Sequence, residues 1–319
     1  MKEMALRQNI KSADTKRLFK KRVKNDFIRN KELYLMIIPV VAFYLIFHYG
    51  PMYGAMIAFK DFKPQRGILG SDWVGLKHFA NFLTNPSFFA ILKNTFRISC
   101  CSILFGFPAP IILALLLNEL RSQRFSKIVQ NFTYMPHFIS TVVICGMIRT
   151  FAAKSGVLNY VLGWFGFEAR NLMVAPEYFT TIYVASEIWQ QVGWGSIIYL
   201  AALTSIDAQL YEAAMIDGAG RWRQTISITI PCIFPTIVTM LILRIGSIVS
   251  VGYEKIILLY NDATMSVADV ISTYVYRKGL IDLNWSFSSA VGLLNSVVNL
   301  FFLVCANTIS KKLTDTGLW

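Results

Sequence analysis

Charged residues are scarce in this sequence. Asp, Glu, Lys and Arg make up 15% of its 319 residues, whereas hydrophobic residues make up 55%. A soluble domain typically carries about a quarter charged residues. Long runs of Leu, Ile, Val and Phe take the place of the missing charge, so the composition predicts a polytopic membrane protein with one membrane domain.

Cysteine and histidine are also few, and no two of them have the spacing typical of a disulfide or metal-binding motif. The five cysteines lie in or beside apolar runs, where this residue behaves as a small hydrophobe. The three histidines are isolated from one another and from any cysteine pair. The sequence therefore predicts neither a disulfide framework nor a metal site.

Sequence motifs of common enzymes are absent as well. The string nearest to a phosphate-binding loop, residues 70–75, is followed by Leu76 and Lys77 instead of Lys and Ser or Thr. There is no His-Glu-x-x-His and no nucleophile elbow. We therefore predict that the chain is not an enzyme and holds no cofactor of its own.

Apolar segments long enough to cross a bilayer, about 20 residues each, recur along the chain. They predict an all-α bundle of six transmembrane helices, with the first segment running on toward Phe59. No small-residue cleavage pattern marks the first segment as a signal peptide, so we expect it to be retained. The predicted spans are 33–49, 94–117, 131–151, 180–203, 232–253 and 286–309.

Lys and Arg are distributed unevenly between the two sets of connecting segments. Segments 1–32, 118–130, 204–231 and 310–319 hold 18 of them, whereas the alternate segments hold 10. The positive-inside rule therefore places both termini in the cytoplasm. This divides the chain into a basic cytoplasmic segment 1–32, a membrane domain 33–309 and a short cytoplasmic tail 310–319.

The first 32 residues contain 11 Lys and Arg against four acidic residues. Such a cluster is compatible with nucleic-acid binding or with attraction to anionic lipid headgroups. We favour lipid, because the cytoplasmic leaflet beside the first span supplies negative charge. No nucleic-acid partner is predicted.

Prolines interrupt several predicted spans, most densely at 106–110, which reads Gly-Phe-Pro-Ala-Pro. A proline removes a backbone donor and bends its helix. Such a kink serves either to fit the helix among its neighbours or to gate a passage, and the sequence leaves both readings open.

Segment 204–231 predicts a short cytoplasmic helix, a glycine turn and a second helix. Ser205 or Asp207 can cap the first turn, and Gly218 and Gly220 can supply a left-handed helix end. One face is apolar at fourfold spacing, through Ile206, Leu210 and Ala214. Such a helix either docks into a groove on another protein or lies on the lipid surface.

The strings Glu212-Ala213-Ala214, Asp217-Gly218-Ala219 and Ile230-Pro231 resemble the EAA loop of permease subunits in binding-protein-dependent ATP-binding-cassette (ABC) importers. In that family the loop forms a coupling helix that inserts into a cleft of the cytoplasmic ATPase. Many sugar permeases have Phe where this chain has Thr225. The resemblance implies coupling roles for Glu212, Ala213, Ala214, Asp217 and Gly218.

The resemblance extends over most of the chain. Residues 73–79 and 92–96 are similar to a sugar-permease pattern. Residues 49–54, 58–62 and the closing Leu318-Trp319 are similar to a narrower subgroup, which imports oligosaccharides released from plant or algal polysaccharides, including acidic ones.

The resemblance implies the type I importer fold, alternating access and a place in the bacterial inner membrane. It also implies four kinds of partner: a second homologous permease, two cytoplasmic ATPase subunits that bind ATP and Mg, an extracytoplasmic solute-binding protein, and the oligosaccharide. An ion-coupled secondary transporter and a membrane-embedded regulatory or scaffold protein are the rival classes.

Polar side chains recur inside the predicted spans, where ionisable groups are costly and usually face a cavity or a partner. Spacing of i, i+3, i+4 and i+7 places four of them on one face of the fourth span. They are Glu187, Gln190, Gln191 and Trp194, hereafter the polar stripe. Arg244 lies midway along the fifth span, and Asn295 and Asn299 share a face of the sixth.

These groups have two interpretations. Carboxylates and amides hydrogen-bond sugar hydroxyls and an indole stacks on a sugar ring, so the polar stripe predicts a sugar path. Alternatively, they form hydrogen bonds between helices. Arg244 likewise either pairs with Glu187 or meets an acidic sugar.

Overall fold

A computed structural model describes Asp26 and residues 29–319. Nearly all of the predicted basic segment 1–32 lies outside the described residues. The chain divides into two units, 1–56 and 57–319.

In the first unit, helix α1 (Lys31–Tyr44) continues into a π-helical turn (Leu45–Tyr49) and a short helix α2 (Gly50–Met52). A 3-10 segment, Tyr53–Phe59, follows and completes a helical run of 29 residues, Lys31–Phe59. This confirms that the first apolar segment runs on to Phe59. No residue of α1 is buried, which suits a helix whose apolar side chains face lipid.

The second unit is helical apart from one hairpin, in which Lys60–Asp61 (β1) pairs antiparallel with Asp72–Trp73 (β2). Its α-helices before residue 170 are α3 (Gly67–Gly70), α4 (Lys77–Leu83), α5 (Phe88–Cys101), α6 (Pro108–Asn118), α7 (Gln123–Tyr134), α8 (Thr141–Ala152) and α9 (Val157–Gly163). Those after it are α10 (Pro176–Thr204), α11 (Ala208–Ile216), α12 (Arg221–Gln224), α13 (Ile230–Ile245), α14 (Tyr253–Leu259), α15 (Met265–Ala268), α16 (Ile271–Tyr276) and α17 (Trp285–Thr314).

Shorter helical turns join these elements. The 3-10 turns are Pro64–Arg66, Met135–Phe138 and Leu172–Val174. The π-helical turns are Ser102–Gly106, Thr225–Thr229 and Arg277–Ile281. The π-helical turn 102–106 is followed by Phe107 and then by α6, whose first residue is Pro108. The predicted kink therefore consists of a π-helical turn and a helix that begins with proline.

Buried side chains of the second unit form three clusters. One joins α5, α8, α10 and α14 around Ile256. The second joins α4, α5, α16 and α17 around Phe82, and the third joins α6, α10 and α13 around Ile233. Helix α5 contributes to the first and second clusters and α10 to the first and third, so these two helices link the three parts of the core.

The predicted third span, 131–151, is wrong as a single helix. Helix α7 ends before the 3-10 turn Met135–Phe138, and α8 starts only at residue 141. Pro136 lacks a backbone N–H to continue the helix. Ser140 then caps α8, because its Oγ accepts a hydrogen bond from the Val143 N–H at 3.4 Å.

The predicted fifth span, 232–253, is also wrong in its limits. The helical run is Arg221–Ile245, so it begins earlier and ends earlier. It ends at Gly246, where the chain turns close to α17. A Cβ on Gly246 would lie 2.6 Å from Leu303 Cδ1, so a larger residue there would displace the Leu303 side chain.

Within the described residues, five helical runs are long and apolar enough to cross a membrane. They are Lys31–Phe59, Phe88–Asn118, Thr141–Gly163, Arg221–Ile245 and Trp285–Thr314. The 29 residues of α10 are long enough for a sixth, but its Glu and Gln side chains lower its hydropathy. The count of six spans stays a prediction, and the last helix extends into the predicted tail 310–319.

Candidate functional site

The polar stripe lies along one side of a cavity of about 710 Å³ within the second unit. All four of its residues line this cavity, as a helix with their spacing requires. The wall also includes Met240, Leu243 and Arg244 of α13, and Gly106, Phe107 and Pro110 of the kinked segment.

The stripe residue Glu187 is held in a three-membered network. Arg244 donates to Glu187 Oε1 at 2.9 Å and to Ser102 Oγ at 2.7 Å. The Ser102 hydroxyl in turn donates to Glu187 Oε2 at 2.6 Å. The predicted Arg244–Glu187 contact is therefore present, and it joins α10, α13 and the π-helical turn 102–106.

We expect a double-mutant cycle over Glu187→Gln and Arg244→Gln to give a coupling energy of about 0.5–3 kcal/mol, as for other residues in direct contact. Each single change leaves the other, partly exposed charge without its partner. The coupling energy is measured by thermal unfolding of the detergent-solubilised protein and its three variants. Additive losses would mean that the two charges act independently.

A histidine to which the sequence analysis gave no role contacts the other end of the stripe, at Gln191 and Trp194. The His137 ring stacks on the Trp194 indole, with centroids 4.4 Å apart and planes 2° from parallel. Its Nδ1 lies 2.9 Å from Gln191 Oε1. The stacked pair orients the indole, whose residue remains 47% exposed beside the cavity.

Lys255 is the second residue that sequence reasoning missed, because it falls in a predicted extracytoplasmic segment. In the structure it is the third residue of the short helix α14, lines the cavity and is 7% exposed. Its Nζ donates to Gln190 Oε1 at 3.4 Å. Burial lowers the pKa of the Lys255 ammonium below its usual value, and the nearby Glu187 carboxylate opposes that shift.

Asn295 and Asn299 are not brought to this cavity. Both side chains donate to Ser250 Oγ, at 3.3 and 2.8 Å, and Asn299 Oδ1 accepts from the Val249 N–H at 3.1 Å. They hold the turn after α13 against α17, which matches the interpretation as hydrogen bonds between helices.

The predicted short helix on the segment 204–231 is α11. Asp207 caps it, accepting from the Gln209 N–H at 2.9 Å, whereas the Ser205 hydroxyl donates back to the Ala202 carbonyl. Gly218 has φ +76°, as predicted for the helix end. Gly220 has φ −68°, so a left-handed conformation there is wrong. Ile206 precedes the helix and packs in the third cluster instead of extending the apolar face.

The outer surface of α11 is uncovered. No residue of the helix is buried, and Ile216 is 87% exposed. Among the described residues Glu212 has no hydrogen-bond or ion-pair partner on its side chain. Ala213, Asp217 and Gly218 are exposed too, and Ala214 is half-buried. The predicted coupling residues therefore share one accessible segment.

Two contacts attach this segment to the membrane helices. The Tyr211 hydroxyl lies 2.9 Å from Thr229 Oγ1, in the π-helical turn that leads into α13. Beside it, Arg221 pairs with Glu119 at 3.5 Å. Thr225, where many sugar permeases have Phe, donates to the same Glu119 carboxylate at 3.4 Å.

Comparison with known proteins places this geometry in a family. Residues 106–314 match the family described as the inner membrane component of binding-protein-dependent transport systems. The chain belongs to this family of transport permeases. The match covers α10, α11 and α13, and so contains both the cavity and the exposed helix. It decides against the secondary transporter and the regulatory scaffold.

Individual permeases of this kind are similar over nearly the whole chain. A polygalacturonan/rhamnogalacturonan transport system permease protein, YteP of Bacillus subtilis (strain 168), is 44% identical, and the match covers 94% of each chain. The crystal structure of a bacterial ABC transporter involved in the import of the acidic polysaccharide alginate contains a chain 44% identical. That chain superposes with a TM-score of 0.84 over 92% of this permease and 99% of its own length.

A second crystal structure matches equally well. It holds a bacterial alginate ABC transporter in complex with an alginate pentasaccharide-bound periplasmic protein. The matched chain is 43% identical, with a TM-score of 0.83, and the match covers 92% of this permease and 99% of that chain.

Proposed function

We propose that this chain is the permease subunit of an ABC importer for oligosaccharides derived from acidic polysaccharides, and that the polar stripe lines the sugar path. The observation that carries the proposal is the cavity itself. Its wall combines the carboxylate of Glu187, the amides of Gln190 and Gln191, and the indole of Trp194 with the cations of Arg244 and Lys255. One cavity wall therefore has groups that can bind the hydroxyls, the ring face and the carboxylate of an acidic sugar.

The choice of an acidic cargo is supported by two similar proteins. One carries the name of a polygalacturonan/rhamnogalacturonan permease and the other imports alginate. Polygalacturonan and alginate are both chains of uronates. An extracytoplasmic binding protein as a partner of this chain is supported by the similar alginate transporter, which was crystallised with a pentasaccharide-bound periplasmic protein. A second homologous permease completes the proposed membrane part.

Energy is supplied by a partner in this proposal. ATP and Mg are bound by two cytoplasmic ATPase subunits, and α11 is the coupling helix that docks on one of them through Glu212, Ala213, Ala214, Asp217 and Gly218. Its exposed apolar side chains and unpaired carboxylate suit a protein groove. This requires α11 and both termini to be cytoplasmic, as the distribution of Lys and Arg predicts.

The test is uptake into proteoliposomes that contain this chain, a second permease and an ATPase pair, with binding protein outside. Labelled trigalacturonate, an alginate trisaccharide and neutral arabinotriose are offered separately. We expect ATP-dependent uptake of at least one acidic probe. Uptake of arabinotriose with uptake of neither uronate would contradict the acidic cargo.

For Trp194→Ala we expect uptake of the acidic probe to fall about two- to tenfold, the range of a lost ring-stacking contact. Trp164→Ala is the matched control, because that indole is exposed but lies outside the cavity. Initial uptake rates at several probe concentrations provide the measurement. Equal rates in the two variants would assign the stripe to helix packing.

A further inference from the structure

Lys255 differs from every other charged residue of the cavity wall. The residue is 7% exposed, yet no carboxylate of the described residues lies within 4.0 Å of its ammonium. Within the described residues, the polar contacts of this ammonium are one hydrogen bond to Gln190 Oε1 at 3.4 Å and the Tyr183 ring, whose centroid is 5.8 Å away. An ammonium has three N–H donors, so two of them have no hydrogen-bond acceptor in that part of the chain.

Arg244, the other cation of the cavity wall within the described residues, is in the opposite situation. Its guanidinium is paired with Glu187 at 2.9 Å. Glu254 also lines the cavity, but its side chain is exposed and does not pair with the adjacent Lys255. The wall therefore contains one cation in a direct ion pair and one buried cation that makes none, because the carboxylate that acts on it from beyond 4.0 Å, Glu187, is already paired with Arg244.

A buried charge without a directly paired counter-ion is unfavourable, because it loses hydration and a more distant charge, here that of Glu187, compensates only in part. In membrane proteins such groups occur where they meet a substrate, an ion or a proton. A carboxylate is the anion that an ammonium on a sugar path would encounter if the cargo contains uronates. The neighbouring stripe residues supply acceptors and donors for the hydroxyls on the same sugar ring.

We propose that Lys255 is a specificity-determining residue that binds a uronate carboxylate as the oligosaccharide passes through the cavity. This rests on the proposed function above. Arg244 does not fill this role, because its charge is already paired with that of Glu187. Binding of the carboxylate gives Lys255 the direct ion pair that no described residue provides, so neutral sugars lose this contact while retaining those to the stripe.

The experiment compares trigalacturonate with its tri-methyl ester, which has the same rings and hydroxyls without the charge. Uptake of each is measured in proteoliposomes holding the complete transporter, either unmodified or with Lys255→Met. We expect the acid-to-ester uptake ratio to fall at least tenfold, the size of a lost hydrogen bond to a charged group. Discrimination by the binding protein is common to both transporters and cancels from the comparison.

Lys154→Met is the matched control, because this lysine is exposed and lies outside the cavity. A Lys255→Arg transporter keeps the charge, and we expect it to recover uptake of the acid relative to Lys255→Met. An unchanged ratio, or equal loss in the Arg and Met variants, would overturn the role of Lys255. If the unmodified transporter takes up neither trigalacturonate nor the alginate trisaccharide, the proposed cargo itself has failed.

Discussion

A transporter carrying Glu212→Lys is expected to lose at least about thirtyfold of its ATP-driven uptake, while its permease still inserts and assembles. Glu212 is exposed on α11 and its side chain has no hydrogen-bond or ion-pair partner among the described residues. Reversal of its charge therefore removes no such contact within that part of the chain. An ATPase groove that accepts this carboxylate would instead face a cation. Like-charge juxtaposition at an interface costs several kcal/mol.

Three measurements separate docking from folding for this variant. Yield and melting temperature of the solubilised permease report folding, co-purification of the ATPase reports docking, and uptake reports coupling. Glu168→Lys is the matched control, since it reverses an exposed charge outside the cavity and outside α11. Uptake by Glu212→Lys equal to that of Glu168→Lys would remove α11 from the coupling path.

The second large effect is expected at Gly193, in the middle of α10. A Cβ there would overlap the carbonyl of Thr133, which belongs to the backbone of α7. Backbone cannot rotate away as a side chain can, so Gly193→Ala must push two helices apart. We expect a loss of at least about 3 kcal/mol, at the upper end for overpacked cores, and a reduced yield of monodisperse protein.

Two further glycines in membrane helices serve as controls. A Cβ added at Gly146 of α8 or at Gly292 of α17 meets nothing within 4 Å. Replacement of these two by Ala is expected to leave the melting temperature unchanged or to raise it, because Ala is the better helix former. If all three variants melt alike, α10 and α7 are not in backbone contact at Gly193.

The sequence predicted best what depends on one helix alone. The spacing of Glu187, Gln190, Gln191 and Trp194 places them on one face whatever surrounds the helix, and they do line one cavity. Capping by Asp207 and the left-handed Gly218 were also local features, and both are confirmed.

What depends on other helices could not be predicted from spacing. Ser102, which contacts Glu187, precedes it by 85 residues in the sequence, and Lys255, which contacts Gln190, follows it by 65 residues. Hydropathy placed Lys255 in a connecting segment and gave no sign that it is buried against the cavity, because a window average cannot detect which residues of a connecting segment pack into the unit. The same averaging passed over Pro136, although a missing backbone donor ends α7 there.

The hydrogen bond between Tyr211 and Thr229 gives α11 a second attachment besides its direct connection to α10. One attachment leads to the helix that carries Glu187 and Trp194, and the other to the helical run that carries Arg244. Residues of both helices line the cavity, and the Arg244–Glu187 pair joins the two helices directly. In the proposed importer, a shift of the nine residues of α11 is therefore transmitted to both cavity-lining helices at once, so docking on the ATPase and the width of the sugar path change together.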